Sequence, residues 1–210
     1  MADQFSSNLS FLEDQFLQDA RVLDPIKGYV SAASFNLRMK PAILQAAGAA
    51  IAHFFANEQI TSVHGIPHSG NYVATAVAMA LGGEVRLHSS RKDQNIPAAW
   101  KDVYRQEVKS FTTSSGGTDV FAGINLSFVK KGDRVLLIDD VCAHGTTGVK
   151  IVQGLIDYGV EVVGFAVLFD KIFQGGLEQV AQLGVKTFSC VRIQELKEHD
   201  TVILKKHHAK

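Results

Sequence analysis

Two uninterrupted apolar runs, RVLLID and EVVGFAVLFD, leave this 210-residue chain few architectures to choose from. A strand with one wet face alternates apolar and polar residues, and these runs do not. Both faces must therefore be covered, as in the middle of a parallel sheet sandwiched between helices. Each run is followed by a segment of helical character, VKIVQGLIDYG and LEQVAQLG, and VKTFSCVRI reads as the last strand. Alternating strands and helices predict an α/β fold, a doubly wound and mostly parallel sheet.

The first half fits the same plan. Leu9, Leu12, Phe16 and Leu17 recur at helical spacing between Asn8 and Ala20, with Ser10 as the expected cap and Glu13 three residues later. A second helix is expected to start at Pro41 and run to about Asn57, because proline suits a first helical turn. ITSVHGI then reads as a strand, PHSGN as a tight loop, YVATAVAMAL as a helix and GEVRLHSS as another strand. From 91 to 131 the pattern turns irregular. VKSFTT and DVFAGI flank the turn-prone SSGG, which predicts a mobile β hood outside the core. The expected divisions are an N-terminal helix and hood segment (1–40), a core (41–196, with the hood at 91–131) and a tail (197–210) whose KKHHAK end is frayed and solvated.

Composition removes several function classes. Lys+Arg and Asp+Glu are equal at 21 each, so no global field draws in nucleic acid or an anionic membrane. No apolar run reaches the roughly 18–20 residues needed to span a bilayer, and the acidic start lacks the pattern of a signal peptide. Two cysteines, Cys142 and Cys190, exclude a disulfide scaffold and a four-thiolate zinc site. A cytoplasmic protein is expected. His64 and His68 bracket a loop without a third ligand at matching spacing, a poor zinc site.

In open α/β sheets ligands bind beyond the carboxyl ends of the strands, so the loops PHSGN, DDVCAHGTTG and DKIFQGG carry the interest. Asp139 and Asp140 end a buried strand. Ala143, His144, Gly145, Thr146 and Thr147 then open a helix, where backbone N–H groups and threonine hydroxyls can bind phosphate. Carboxylates would repel a bare phosphate. They suit a ligand whose sugar hydroxyls they accept from, or a Mg²⁺ held through water, while the loop takes a phosphate farther along the same molecule. The pattern asks for a sugar phosphate.

The segment VLLIDDVCAHGTTG resembles the phosphoribosyl diphosphate motif of the type I phosphoribosyltransferases, which has four apolar residues, two acids and a phosphate loop of small residues. The likeness extends over roughly residues 34–196, and KIFQGG with the later RIQ is most similar to the xanthine branch of that family. It implies transfer of ribose 5-phosphate from phosphoribosyl diphosphate to a purine base, with Mg²⁺ and release of pyrophosphate. By the same resemblance, Asp139 and Asp140 contact the ribose hydroxyls and Mg²⁺, and Ala143 through Thr147 bind the 5-phosphate. Ser69, Gly70 and Asn71 cradle pyrophosphate. Lys171, Asn36 and Tyr29 face the base, and a homodimer is expected. The chain departs from the family at His144, where Thr or Asn is common, and at Pro67-His68, where an acid usually precedes the serine.

Four side chains keep two readings each. Phe173 either stacks on the purine or packs in the core. Arg91 and Lys92 either reach pyrophosphate or form a solvated loop pair. Cys142, beside a helix start, is either an activated thiol or a small packing residue, and packing is preferred. Two rival functions share the fold: an orotate phosphoribosyltransferase, and a non-catalytic regulator that senses phosphoribosyl diphosphate.

Overall fold

A computed structural model describes residues 2–91, 103–109 and 121–207. Its main sheet has six strands: β3 (Ser62–Gly65), β4 (Arg86–Ser89), β7 (Arg134–Cys142), β8 (Glu161–Lys171), β9 (Lys186–Lys197) and β10 (Thr201–Leu204). They lie in the order β10-β9-β8-β7-β3-β4, parallel except for β10. The two apolar runs are β7 and β8 at the centre, and Val135, Leu136, Leu137 and Ile138 are fully buried. Helices α1 (Ala2–Asp19), α2 (Ala33–Asn36), α3 (Pro41–Phe54) and α4 (Gly70–Leu81) contribute to the core on one face. Helices α5 (Thr146–Tyr158) and α6 (Gly176–Ala181) cover the other. The doubly wound expectation holds, and the strand and helix boundaries around each loop fall close to those expected.

Helix α1 differs from its expectation. It begins at Ala2 rather than near Asn8, so Ser10 lies inside the helix and caps nothing. The extra turns are anchored by Phe5, whose ring lies 4.8 Å from that of His53 and 6.1 Å from that of Phe188. Leu9, Leu12 and Phe16 are buried, whereas Leu17 is exposed. Glu13 is also buried and pairs with Lys206. Helix α3 starts at Pro41 as expected but stops at Phe54, short of Asn57.

The tail corrects a second expectation. The chain turns back as β10 against β9, with Thr201 opposite Lys197 and Leu204 opposite Ile193. Of the KKHHAK end, Lys205 and Lys206 are exposed but held, while 208–210 lie outside the described residues. The Lys205 N–H then donates to the Arg192 carbonyl at 2.8 Å, and the His207 ring lies 3.2 Å from the Cys190 carbonyl oxygen. The outer edge of β9 presents backbone groups that need partners, and the returning chain supplies them.

The hood is a hairpin of β5 (Val103–Lys109) and β6 (Phe121–Ser127), with Val103 opposite Ser127 and Lys109 opposite Phe121. The expectation that it stays outside the core fails for β6. Ile124 and Leu126 are each 1% exposed and pack with the β7, α5 and β8 side chains. A smaller N-terminal hairpin joins β1 (Arg21–Asp24) to β2 (Tyr29–Ser31).

Candidate functional site

Three loops leave the carboxyl ends of β3, β7 and β8 side by side. The Ile66 N–H donates to the Ile138 carbonyl at 2.7 Å, carrying the β3 hydrogen bonding into the loop. Gly70, at the start of α4, lies so close to β7 that an added Cβ would sit 2.7 Å from the Ile138 oxygen and 3.2 Å from Asp139 Oδ1. Ser69 and Gly70 are thereby brought against the acid pair. The Pro67–His68 peptide bond is cis. The Ser69 hydroxyl donates to the Asn36 carbonyl at 2.9 Å. Asn71 spends its side chain locally: its amide donates to the Ser90 carbonyl at 2.9 Å, and its Oδ1 accepts from the Ser90 N–H at 3.1 Å. This clamp ties the start of α4 to the end of β4. The next residue, Arg91, exchanges backbone hydrogen bonds with Asn125 of β6. Lys92 lies outside the described residues.

Asp139 and Asp140 are half-buried at the end of β7, and Asp139 Oδ1 accepts from the Asp140 N–H at 2.9 Å. The turn that follows depends on two glycines. Gly145 has φ +73° and stands immediately before α5, and a Cβ there would lie 2.4 Å from the Gly176 carbonyl oxygen. Reciprocally, a Cβ on Gly176 would meet the Ala143 oxygen and the Gly145 nitrogen at 2.3 Å. The Gly176 N–H instead donates to the Ala143 carbonyl at 3.0 Å. No side chain caps α5 and no acidic residue occupies its first turn. The N–H groups of Thr146, Thr147 and Gly148 at its start therefore suit an anion. His144 is exposed on the same turn.

Cys142 sits beneath this turn, 3% exposed, and burial pushes its thiol well up, aided by the carboxylates of Asp170 and Asp139. It is a packing residue, as preferred from the sequence, and no activated thiol.

The base-side candidates gather around the end of β8. Lys171 Nζ donates to the Gly28 carbonyl at 2.8 Å, and burial lowers the pKa of its ammonium. Gly28 lies in the turn of the β1–β2 hairpin, and an added Cβ would sit 3.0 Å from the Phe173 ring. The hairpin therefore rests on Lys171 and Phe173 from 143 residues away in sequence. Tyr29 is 56% and Phe173 44% exposed. Asn36 Oδ1 is buried without a partner, as is Gln174 Oε1.

Two features were not singled out from the sequence. One is the hairpin tip at Gly28, where DPIKG signals a turn but not its contact with Lys171. The other is Asp170, whose signal was the lone acid that ends EVVGFAVLFD. Asp170 is 3% exposed, and burial raises its pKa to about 7, with Arg192 opposing and Glu178 adding to the rise. His64 is buried against His88, with ring centroids 4.5 Å apart. Among the described residues no cluster of three or more His, Cys, Asp or Glu side chains could cage a metal.

Comparison with known proteins points the same way. The model of the phosphoribosyl transferase domain family matches residues 36–200. The chain is 31% identical over 185 residues to a xanthine phosphoribosyltransferase of Brevibacillus brevis, covering 88% of this chain and 91% of that one. It is 31% identical over 190 residues to the xanthine phosphoribosyltransferase of Lactiplantibacillus plantarum, covering 87% and 90%. The crystal structure of a Trypanosoma brucei adenine phosphoribosyl transferase, in complex with AMP, pyrophosphate and ribose 5-phosphate, shares the fold. Its TM-score is 0.69 at 20% identity, over 90% of this chain and 83% of that one.

Proposed function

The chain belongs to the phosphoribosyl transferase domain family, and on that premise we propose that it transfers ribose 5-phosphate from phosphoribosyl diphosphate to a purine, releasing pyrophosphate. Xanthine is the favoured base, in line with the names of the relatives at 31% identity. The observation that carries the reading is the juxtaposition at the end of β7. An acid pair able to accept from ribose hydroxyls stands near the end of the strand, and the short turn after it leads into an uncapped helix start able to take the 5-phosphate.

In this reading Ala143 through Thr147 hold the 5-phosphate, Asp139 and Asp140 hold the ribose, and Ser69 and Gly70 flank the pyrophosphate. Arg91, at the edge of the hood hairpin, and Lys92, outside the described residues, are assigned to the pyrophosphate. Asn71 acts through its clamp on Ser90, fixing where Arg91 begins. Lys171 donates to a base carbonyl by exchanging the Gly28 oxygen for the ligand, while Asn36, Tyr29 and Phe173 frame the ring.

Departure of pyrophosphate leaves an oxocarbenium-like sugar, so the chain's task is to hold two substrates in line and to favour charge separation. The acid pair fits a hard cation that keeps most of its waters and needs only one or two carboxylates besides substrate phosphates. Asp139 and Asp140 would hold Mg²⁺ through water or the ribose hydroxyls, and the ion would neutralise charge on the leaving pyrophosphate. A cytoplasmic homodimer completes the proposal, and size-exclusion chromatography with light scattering tests the dimer.

The deciding experiment offers xanthine, guanine, hypoxanthine, adenine and orotate with phosphoribosyl diphosphate and Mg²⁺. Turnover of xanthine above the others supports the proposal. Orotate turnover alone, or binding of phosphoribosyl diphosphate without turnover of any base, replaces it with one of the two rivals.

A further inference from the structure

Behind the phosphate loop lies a carboxyl group that the proposed reaction leaves without a role. In the register of the three central strands, Cys142 of β7 stands opposite Asp170 of β8, which stands opposite Arg192 of β9. Asp170 is 3% exposed, and its Oδ1 is buried with no hydrogen-bond partner. Burial of an ionised carboxylate in that condition is unfavourable unless something compensates it. The loop starts one residue past Cys142. It is clamped from the other side by Gly176, six residues beyond Asp170, whose N–H holds the Ala143 carbonyl at 3.0 Å. Asp170 thus sits under the seat that is to receive a dianion. It also lines a groove of about 1150 Å³ with Arg192, Glu178 and Leu177, which gives it a route for proton exchange with solvent.

We propose that Asp170 is a proton-holding positioning residue of this seat: anion binding at Ala143–Thr147 takes up a proton at the Asp170 carboxyl, and ionisation of Asp170 weakens binding there. The inference rests on the reading of that turn as a phosphate seat. A negative group behind the seat opposes an incoming phosphate, whereas the neutral acid adds nothing to the opposition that the Asp139–Asp140 pair already offers. Coupling between the two sites is reciprocal: whatever the bound anion adds to the proton affinity of Asp170, the proton adds to the affinity for the anion.

The groups that set this balance are identifiable. Arg192 on β9 favours the ionised form, and Glu178 on α6 disfavours it. Cys142 faces Asp170 from β7 with its thiol pushed up, so it stays neutral. Lys171 is the neighbour on β8, with its ammonium on the Gly28 carbonyl. His144 is exposed on the loop itself and is the competing source of any pH dependence.

The test is the affinity of the full chain for inorganic sulfate, whose charge is constant between about pH 5.5 and 9, and for phosphoribosyl diphosphate, measured calorimetrically across that range. If the anion raises the proton affinity of Asp170 by about one pH unit, wild-type affinity falls about tenfold as the carboxyl ionises. D170N is expected to abolish that fall, and H144N to retain it. E178Q alters an exposed residue, and it is expected to move the fall to lower pH. Calorimetry in buffers of different ionisation heat is expected to show proton uptake in the wild type and none in D170N.

A fall that persists in D170N, or that H144N removes entirely, overturns the proposal. Tight binding of both probes with no pH dependence overturns the coupling and leaves the seat intact. Failure of both probes to bind at any pH overturns the seat and the coupling together.

Discussion

The proposed phosphate side and the proposed base side of the candidate site are built by different means. The phosphate side is made of strand ends and main chain: Asp139 and Asp140 lie near the end of β7, which runs on to Cys142, and Gly145 meets Gly176 at a distance that admits no side chain. The base side is made of side chains at the end of β8, Lys171 and Phe173, under the backbone turn of a remote hairpin at Gly28. A shared sugar phosphate calls for the first kind of construction, because its geometry does not vary. Choice among bases calls for the second, since exposed residues such as Tyr29 and Phe173 can change without disturbing the sheet.

The sharpest way to break this contrast is at the acid pair. Asp139→Asn with Asp140→Asn is expected to lower turnover about 10³-fold, or about 4 kcal/mol, for every base, with the far-ultraviolet circular dichroism unchanged. Unequal losses among bases would show that the pair is not confined to the phosphate side. Next, Gly145→Ala places a methyl group against the Gly176 oxygen in a left-handed backbone conformation. A loss of about 2–3 kcal/mol in urea unfolding, together with weaker phosphoribosyl diphosphate binding, is expected.

The scaffold beneath the phosphate side gives two pH predictions of opposite sign. Burial first, then His88, holds His64 down at about 3, so the folded chain keeps it neutral. Its contribution to stability is full above the unfolded value near 6.5 and is lost as pH falls toward 3, at about 1.4 kcal/mol per pH unit. Asp170 is raised instead. Its contribution is full below about 3.8 and is lost as pH rises to about 7, with a similar slope. Between about pH 4 and 6.5 the two slopes oppose each other in the wild type. Each is expected to emerge only by difference, in urea melts of His64→Leu and Asp170→Asn against wild type across that range. Parallel pH profiles for either variant and wild type would remove the corresponding contribution.

The smallest expected effect belongs to the base side. Lys171→Ala is expected to change the ratio of kcat/KM between xanthine and adenine about tenfold, with little change in phosphoribosyl diphosphate affinity. Equal losses for both bases would show that Lys171 only props the hairpin through Gly28.

This division also governs what could be learned before the structure. The central strands and the acid pair were legible because their signals are local: apolar runs too continuous for a wet face, then two carboxylates and a glycine turn within ten residues. Where contacts span the whole chain, the sequence was silent or misleading. Ser10 and Glu13 had the spacing of a helix start, yet Glu13 is buried against Lys206 from the other end of the protein. KKHHAK looked like a solvated end, and its first residues line the β9 edge. The role of Gly28 could not be found at all, because it is a carbonyl offered to Lys171 across 143 residues. Asp170 differs from the rest. An acid ending an apolar strand was visible, and only the absence of a partner for its Oδ1 marked it out.

The most direct test is a crystal structure with a bound purine nucleoside monophosphate. The phosphate is expected on the main-chain N–H groups of residues 143–147, with the ribose hydroxyls on Asp139 and Asp140. A nucleotide bound elsewhere, with that turn closed by its own side chains, would contradict the account.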